Sequence, residues 1–405
     1  MHCAIRPAAL ATVVLLSTVP AFASGYRIPE QSVNSVARAG GYVAHTPGVD
    51  SASYNPANMG QLSDQWHVEG NATWIHLPAV THKDWRSGHR EDSKEEHFLM
   101  PTLFLVSPEW SGWRAGFSLT APGGLSKRWR GPLGRASAEE FTLKIFEANP
   151  VLSYRISDRI AVGAGVRFVY TDGLVTSNAN NVLTRHMEGD SLDMGYNLAL
   201  TVRPLETVAC SVTYRSRVDL GLEGDARLTG PGGAAYTGPA NIEIPLPAVL
   251  SVGAAWTVYD PLTVEISYDR TYWSDYKSLD FNYPAPLRNP FLYNFFDRPI
   301  LREWTDTDAW RISMEYRWDD RLTLMAGFAW DESPASEERL GFELPDSDAL
   351  IYSLGFRYRM NERWEMGLAY LYDDKKTRNV TNETIEGSFS DSGAHLVTFG
   401  LTCHL

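Results

Sequence analysis

The chain has few cysteines, no long uncharged apolar segment after its first residues, and fewer basic than acidic residues. Two of its three cysteines, Cys210 and Cys403, lie beyond the N-terminal region and far apart, so we expect free thiols and no Cys-based metal or catalytic motif. The net charge of −13 argues against nucleic acid as a partner, because phosphate binding needs a basic surface. The lack of apolar segments of about 20 residues excludes a bundle of transmembrane helices.

The first 23 residues have the pattern of a signal peptide. Arg6 provides a basic start, residues 8–22 are apolar, and Ala21-Phe22-Ala23 fits a signal-peptidase site. We therefore interpret residues 1–23 as a signal peptide and expect the protein to be exported.

The rest of the chain is rich in aromatic residues and repeatedly alternates apolar and polar residues. Its 13 Trp, 19 Tyr and 16 Phe would suit the aromatic girdles of a membrane barrel. In residues 363–373, for example, Trp364, Met366, Leu368 and Tyr370 alternate with small or charged residues. Such a strand turns one face to lipid and the other to a lumen. The pattern recurs in residues 160–168, 264–269, 310–318 and 322–330.

The connections between these segments fall into two classes, short turns and long loops. Six short turns, one of them at Asp319-Asp320, separate the paired strands, and seven longer polar connections separate the pairs. We therefore predict an all-β fold, a 14-stranded antiparallel transmembrane β-barrel over residues 63–405 with both termini in the periplasm. The predicted long connections are residues 78–96, 122–140, 174–184, 219–241, 277–305, 332–346 and 375–391.

A barrel of fourteen strands encloses more room than its own side chains can fill. Residues 24–62 show no alternation and are rich in Gly, Ala, Ser and Asn, so we predict that they form an N-terminal hatch that plugs the bore. A disordered periplasmic tail is the alternative.

Several motifs resemble the FadL/TodX family of outer-membrane transporters. They are Gly25-Tyr26, Ala37-Arg38-Ala39-Gly40, residues 50–59 with Asn55-Pro56-Ala57, and residues 149–156 and 244–248. The resemblance covers essentially the whole chain after the signal peptide. It implies passive uptake of hydrophobic compounds, above all long-chain fatty acids, by lateral diffusion through a window at a kink in the third strand. Aromatic hydrocarbons or alkanes are the alternative substrates.

Candidate residues of the hatch follow from this resemblance. We expect Asn55, Pro56 and Ala57 to form a tight turn that holds the hatch against the wall beside the window, because Asn bonds nearby backbone and proline fixes φ. Arg38 belongs to a second hatch motif. Tyr26 stands where family members place an aromatic residue against ligand, although packing on the barrel interior would serve equally.

Candidate substrate contacts lie in and above the wall. Residues 98–106 are apolar on both faces and contain a proline, so Leu103 and Phe104 are predicted beside the lateral window or packed against the hatch. Leu125 and Trp129 lie in a connection whose basic residues suit either a carboxylate or lipopolysaccharide phosphates. Asp172 stands where fatty-acid transporters of the family carry a basic residue. Inward-facing Arg167 is the predicted substitute.

Other functions have less support. The histidines 76, 82, 89 and 97 bracket the first long connection, but their spacing matches no known metal motif, and no cofactor is expected. An outer-membrane lipase would need a Ser–His arrangement that does not stand out, and a general porin would leave the bore open. We therefore predict a monomeric outer-membrane channel of a Gram-negative cell, not an enzyme, in contact with membrane lipid and lipopolysaccharide.

Overall fold

The computed structural model describes residues 25–405, so the predicted signal peptide, residues 1–23, lies outside the described part of the chain. Fourteen antiparallel strands close into a barrel, as predicted from the sequence. They are β1 (His67–Leu77), β2 (Glu96–Val106), β3 (Trp113–Lys127), β4 (Glu140–Ser157), β5 (Ile160–Ala179), β6 (Leu183–Leu205), β7 (Val208–Arg215, continued by Val218–Gly230), β8 (Ala234–Leu246, continued by Val249–Tyr259), β9 (Leu262–Thr271), β10 (Thr307–Arg317), β11 (Leu322–Asp331), β12 (Ala349–Arg359), β13 (Trp364–Lys375) and β14 (Gly393–His404).

The barrel closes where the first strand meets the last. β1 pairs with β14 from His67 opposite His404 to His76 opposite His395, and its other edge pairs with β2. The start of β1 and the end of β14 therefore lie at the same rim. Short connections join the strands at this rim, at 107–112, 158–159, 206–207, 260–261, 318–321 and 360–363.

Two of the predicted long connections, 174–184 and 219–241, consist mostly of barrel strand. β5 and β6 stay paired as far as Ala179 opposite Leu183, and β7 and β8 as far as Gly230 opposite Ala234. The outward faces here carry exposed charges such as Asp219. A strand that projects beyond the lipid needs no apolar outer face. In residues 218–228 the apolar side chains, such as Leu220 and Leu222, face inward instead, and the hydrogen-bonded ladder continues.

The outer wall is apolar where the strands are regular. Outward side chains such as Leu99, Leu192 and Leu354 are 62% to 71% exposed, as expected for a lipid-facing surface. Cys210 on β7 and Cys403 on β14 are free thiols, as predicted. None of the described helices is long and apolar enough to cross a membrane.

The remaining helices and short strands lie before β1 and in the long connections. Before β1 come α1 (Val33–Ala37), α2 (Ser51–Tyr54) and a 3₁₀ helix (Pro56–Gln61). The long connections pack over the outer end around buried aromatic residues, including Trp129, Phe342 and Phe389. They contain two helices, α3 (Pro132–Ala138) and α4 (Pro290–Phe296), and three short 3₁₀ turns (Pro231–Gly233, Trp273–Asp275, Glu337–Arg339). Four short strands form a separate sheet, in the order Arg378–Thr381, Glu386–Ser390, Thr81–Asp84 and Arg90–Asp92. Ser278–Leu279 pairs with Ile300–Leu301, and Phe281–Asn282 pairs with β8.

Candidate functional site

Residues 25–62 lie within the bore and contact the inner wall on two sides. Helix α1 contacts β11 to β14, and the 3₁₀ helix contacts β3 to β6. Ser32 begins α1 with a capping box, in which its hydroxyl accepts the amide of Ser35 and the Ser35 hydroxyl accepts the amide of Ser32. Val33 and Val36 pack with wall residues such as Met325. This segment is therefore held by many separate contacts to the barrel.

Charged side chains of the wall bind the polar groups of this segment. Arg38 is buried, forms an ion pair with Glu315 of β10, and donates to the carbonyl of His45 over 2.8 Å. The Glu265 carboxylate accepts the backbone amides of residues 43, 44 and 45. Arg311 donates to the Ala39 carbonyl over 3.0 Å. The lumen charges that an open pore would expose to water are thus satisfied by the N-terminal segment.

The Asn55-Pro56-Ala57 triplet forms a tight turn, in which the Asn55 side-chain oxygen accepts the Ala57 amide over 3.1 Å. The Asn55 side-chain amide donates to the Val43 carbonyl and to Thr201 of β6, over 2.7 and 3.0 Å. Gly163 of β5 lies directly under the turn, where a Cβ would come within 2.8 Å of Pro56. The triplet therefore holds the N-terminal segment against β5 and β6 of the wall.

The wall is interrupted between β2 and β3. Only four residue pairs join these strands, from Leu103 opposite Leu119 to Val106 opposite Gly116, and the register of β3 shifts between Thr120 and Gly123. We call the unpaired part, Glu96–Thr102 facing Thr120–Lys127, the β2–β3 seam. Beyond it the backbone of Lys94 donates to Arg128 over 2.8 Å, so the seam is bounded at both ends.

The N-terminal segment takes the place of the missing strand pairing at the β2–β3 seam. The Gln31 side chain donates to the carbonyl of Ala121 over 2.9 Å and accepts its amide over 2.8 Å. The Thr102 hydroxyl of β2 donates to the Gln31 carbonyl over 2.7 Å. The amide of Ile28 donates to the Pro122 carbonyl over 3.0 Å. Movement of residues 26–31 would therefore leave the seam without its backbone partners.

A cavity of about 90 Å³ lies between the N-terminal segment and the wall; we call it the central cavity. Ile28, Val43, Leu246 and Val249 supply apolar lining, and Arg27, Arg167, Arg215 and Asp269 supply charges. Arg167 and Arg215 both form ion pairs with Glu147 of β4, which is fully buried. Arg27 donates to the Thr271 hydroxyl over 2.6 Å and lies 3.7 Å from Asp269.

Asp172 faces away from the central cavity. It lies on the outer face of β5 and forms a 2.7 Å ion pair with Lys144, both side chains being largely exposed. Arg167 and Thr171 share the inner face of the same strand and are buried. Asp172 therefore does not contribute charge to the bore.

The remaining predicted residues lie in the wall, in the core of the long connections and in a second cavity. Leu103 faces outward, whereas Phe104 is fully buried and packs with Ala52 and Met59 of the N-terminal segment. Trp129 is buried in the loop core, where its indole donates to the Phe342 carbonyl over 2.8 Å.

Tyr26 and Leu125 share a smaller second cavity beneath the loops. The Tyr26 ring contacts Trp273 edge-on at 4.7 Å, and its hydroxyl donates to the Pro245 carbonyl. Burial raises the pKa of Tyr26 well above its ordinary value, so this hydroxyl stays protonated.

Four contributors to these sites were not singled out from the sequence, namely Arg27, Gln31, Glu147 and Arg215. Arg27 and Gln31 lie in an irregular segment without periodicity, so no pattern assigns them a direction. Glu147 and Arg215 lie within strands whose inward faces alternate, and that alternation alone identifies them as lumen charges. Which charges meet across the bore depends on strand register.

Together these features define a class: an outer-membrane barrel whose bore is filled by its own N-terminal segment, with an interrupted wall and a cavity for a small molecule. The chain matches the model of the family described as outer membrane protein transport protein (OMPP1/FadL/TodX) over residues 13–402. The chain belongs to this family of outer-membrane transporters of hydrophobic compounds. Members of the family are transport channels, not enzymes.

Individual relatives extend over nearly the whole chain. A long-chain fatty acid transport protein of Escherichia coli is 23% identical over 419 residues, covering 91% of each chain. The crystal structure of a Pseudomonas aeruginosa FadL homologue has a TM-score of 0.82 at 19% identity and covers 94% of this chain and 99% of that one. The Pseudomonas putida toluene transporter TodX has a TM-score of 0.73 at 17% identity, covering 95% and 100%. The similarity of the structures confirms the fold.

Proposed function

We propose that the protein admits long-chain fatty acids, which bind in the central cavity with the carboxylate at the arginines and leave sideways through the β2–β3 seam. Residues 24–62 are the hatch of this channel, and residues 63–405 are its barrel. The observation that carries the proposal is the excess of positive charge at the cavity.

The charge excess follows from the ion pairs. Arg167 and Arg215 share the single carboxylate of Glu147, and both residues line the cavity. Two cations, the buried Arg167 and the partly buried Arg215, against the one buried anion leave a net positive charge at this cluster, and an unbalanced charge away from water is costly unless an anion joins it. A substrate carboxylate would supply that anion, and a guanidinium binds a carboxylate through paired, charge-assisted hydrogen bonds.

The rest of the path suits an alkyl chain. Ile28 of the hatch and Leu246 and Val249 of the wall supply apolar lining, and transfer of each CH₂ out of water is worth roughly 0.8 kcal/mol. At about 90 Å³ the central cavity is much smaller than the roughly 300–1,000 Å³ of a typical ligand pocket. Residues 26–31 must therefore move to admit a long chain, and the same movement would free the β2–β3 seam.

The environment of the channel follows from its surface. The exposed apolar wall suits membrane lipid, and the exposed Arg130 beside Trp129 suits lipopolysaccharide phosphate. We propose that the barrel works as a monomer, because each barrel contains its own hatch, cavity and seam.

An aromatic hydrocarbon is the second candidate substrate, and the ring cluster around Tyr26 favours it. Trp273, Trp304 and Tyr276 all lie within 6.4 Å of the Tyr26 ring, between ring centroids, and would offer edge and face contacts to a small aromatic ring. The TodX relative is a toluene transporter. A neutral hydrocarbon would leave the charge excess at Glu147 uncompensated.

Equilibrium binding to the purified barrel in detergent tests the proposal. A long-chain fatty acid should bind more tightly than its methyl ester or toluene. Arg215→Met should weaken fatty-acid binding by about 10- to 150-fold, the equivalent of a charge-assisted hydrogen bond of about 1.5–3 kcal/mol, and should leave ester binding unchanged. Glu147 keeps Arg167 as its partner in this variant, so folding should be preserved.

Arg217→Met is the matched control, because Arg217 is two residues away and pairs with Asp219 and Asp275 outside the cavity. Equal affinity for acid and ester, unchanged by Arg215→Met, would exclude carboxylate recognition. Tighter binding of toluene than of the fatty acid would identify a hydrocarbon channel instead.

A further inference from the structure

A row of rings crosses four neighbouring strands on the outer face of the barrel. The pairing places Tyr372 of β13 opposite His395 of β14, His395 opposite His76 of β1, and His76 opposite His97 of β2. Successive ring centroids are 4.8, 5.6 and 4.7 Å apart, and the rings are stacked. The row lies near the rim opposite the chain termini. Strand register, not sequence spacing, thus brings these histidines together.

Two of the histidines converge on one carboxylate. The His76 Nδ1 and His97 Nε2 atoms lie 3.5 and 3.6 Å from the same oxygen of Glu95. All three ligand atoms lie within 4.8 Å of one another. Ligand atoms around a tetrahedral zinc ion are about 3.4 Å apart, given metal–ligand bonds of roughly 2.0–2.2 Å. The distance between the two nitrogens shortens when the imidazoles rotate about χ2, a soft torsion.

The polar atoms of this cluster are open to an additional partner. The His76 Nδ1 atom is buried and makes no hydrogen bond within the described residues. The His97 and Glu95 side chains are 52% and 58% exposed, so an ion from solution can reach the cluster. Trp74 stacks on both imidazoles, at 5.8 and 5.6 Å between centroids, and so lies next to the proposed ligands.

We propose that His76, Glu95 and His97 bind a divalent transition metal ion, such as zinc, on the outer face of the barrel. Two imidazoles and a carboxylate suit zinc, nickel or copper rather than calcium or magnesium, which prefer oxygen ligands. The bound ion links the end of β1 to the start of β2. It thereby fixes the base of residues 78–95, whose short strand Thr81–Asp84 pairs with Glu386–Ser390 in the sheet over the outer end. The site is separate from the central cavity and does not depend on the proposed substrate.

Metal analysis of the full barrel, purified in detergent without a polyhistidine tag, tests this site. After dialysis against zinc, we expect one tightly bound ion per chain. His76→Gln and His97→Gln should each weaken zinc binding by more than about tenfold, because loss of a residue that only hydrogen-bonds to a metal ligand already lowers metal affinity by about that factor. His186→Gln is the matched control, since His186 is 44% exposed and lies 3.8 Å from Glu188 outside the cluster.

A second readout locates the ion. Copper should quench part of the tryptophan fluorescence of the wild type, and Trp74→Phe should remove that part. His97 is half exposed on the surface, so its substitution should leave the far-ultraviolet circular dichroism of the barrel unchanged. The proposal is overturned if the wild type binds no zinc, or if the His76→Gln/His97→Gln double variant binds it as tightly as the wild type does.

Discussion

Replacement of Gln31 by alanine should loosen the β2–β3 seam. The Gln31 side chain is buried and makes three hydrogen bonds, two with the backbone of Ala121 and one with the carbonyl of Ile28. The two groups of Ala121 lie where the register of β3 shifts. Without Gln31 they lose the partner that substitutes for strand pairing.

The size of the effect follows from the number of bonds. A buried hydrogen bond contributes a net of about 0.5–1.5 kcal/mol, so three of them give roughly 2–4 kcal/mol. This corresponds to a roughly 30- to 1000-fold increase in the population in which the seam has lost its hatch contacts. The population for Gln31→Glu should lie between those of the wild type and Gln31→Ala, because a carboxylate still accepts the Ala121 amide but cannot donate to its carbonyl.

Amide hydrogen exchange of the segment around Ala121 measures this population directly. Exchange should accelerate by the factor above in Gln31→Ala, and fatty-acid uptake in cells should become faster until another step limits it. Gln61→Ala is the control, since Gln61 is exposed at the end of the same segment. If exchange at Ala121 is no faster in Gln31→Ala than in Gln61→Ala, the seam is not held by the hatch.

Two further predictions concern the hatch turn and the loops. Gly163→Ala places a Cβ within 2.8 Å of Pro56 and should destabilise hatch docking by about 1–3 kcal/mol. Gly70→Ala is the control, because its Cβ would meet nothing within 4 Å. Residues 25–62 should be cut by protease faster in Gly163→Ala than in Gly70→Ala. Burial between aromatic rings lowers the pKa of His82, so the stabilisation it gives is complete above about pH 6.5 and is lost as the pH falls below that value. Proteolysis of the loops should therefore quicken at low pH, and His82→Phe should abolish this dependence.

The alternating residues of the wall were sufficient to predict the barrel and its strand number. Lipid demands an apolar outer face, so most membrane-embedded strands carry their own local signal, whereas residues 98–106 are apolar on both faces. The same reasoning failed for residues 219–241, because a strand that leaves the lipid loses its apolar outer face while keeping its hydrogen bonds. The small residues of the hatch predicted its position in the chain but not its contacts.

The sequence by itself determined the class of protein, because a two-residue period and the lengths of turns are local properties that each segment displays alone. The tertiary structure decided the sites. Arg167 and Arg215 meet at Glu147, Gln31 reaches Ala121, and His76 meets His97 only because strand register and closure of the barrel bring distant segments together. Register is a property of the whole closed sheet, so no single segment of the chain contains it.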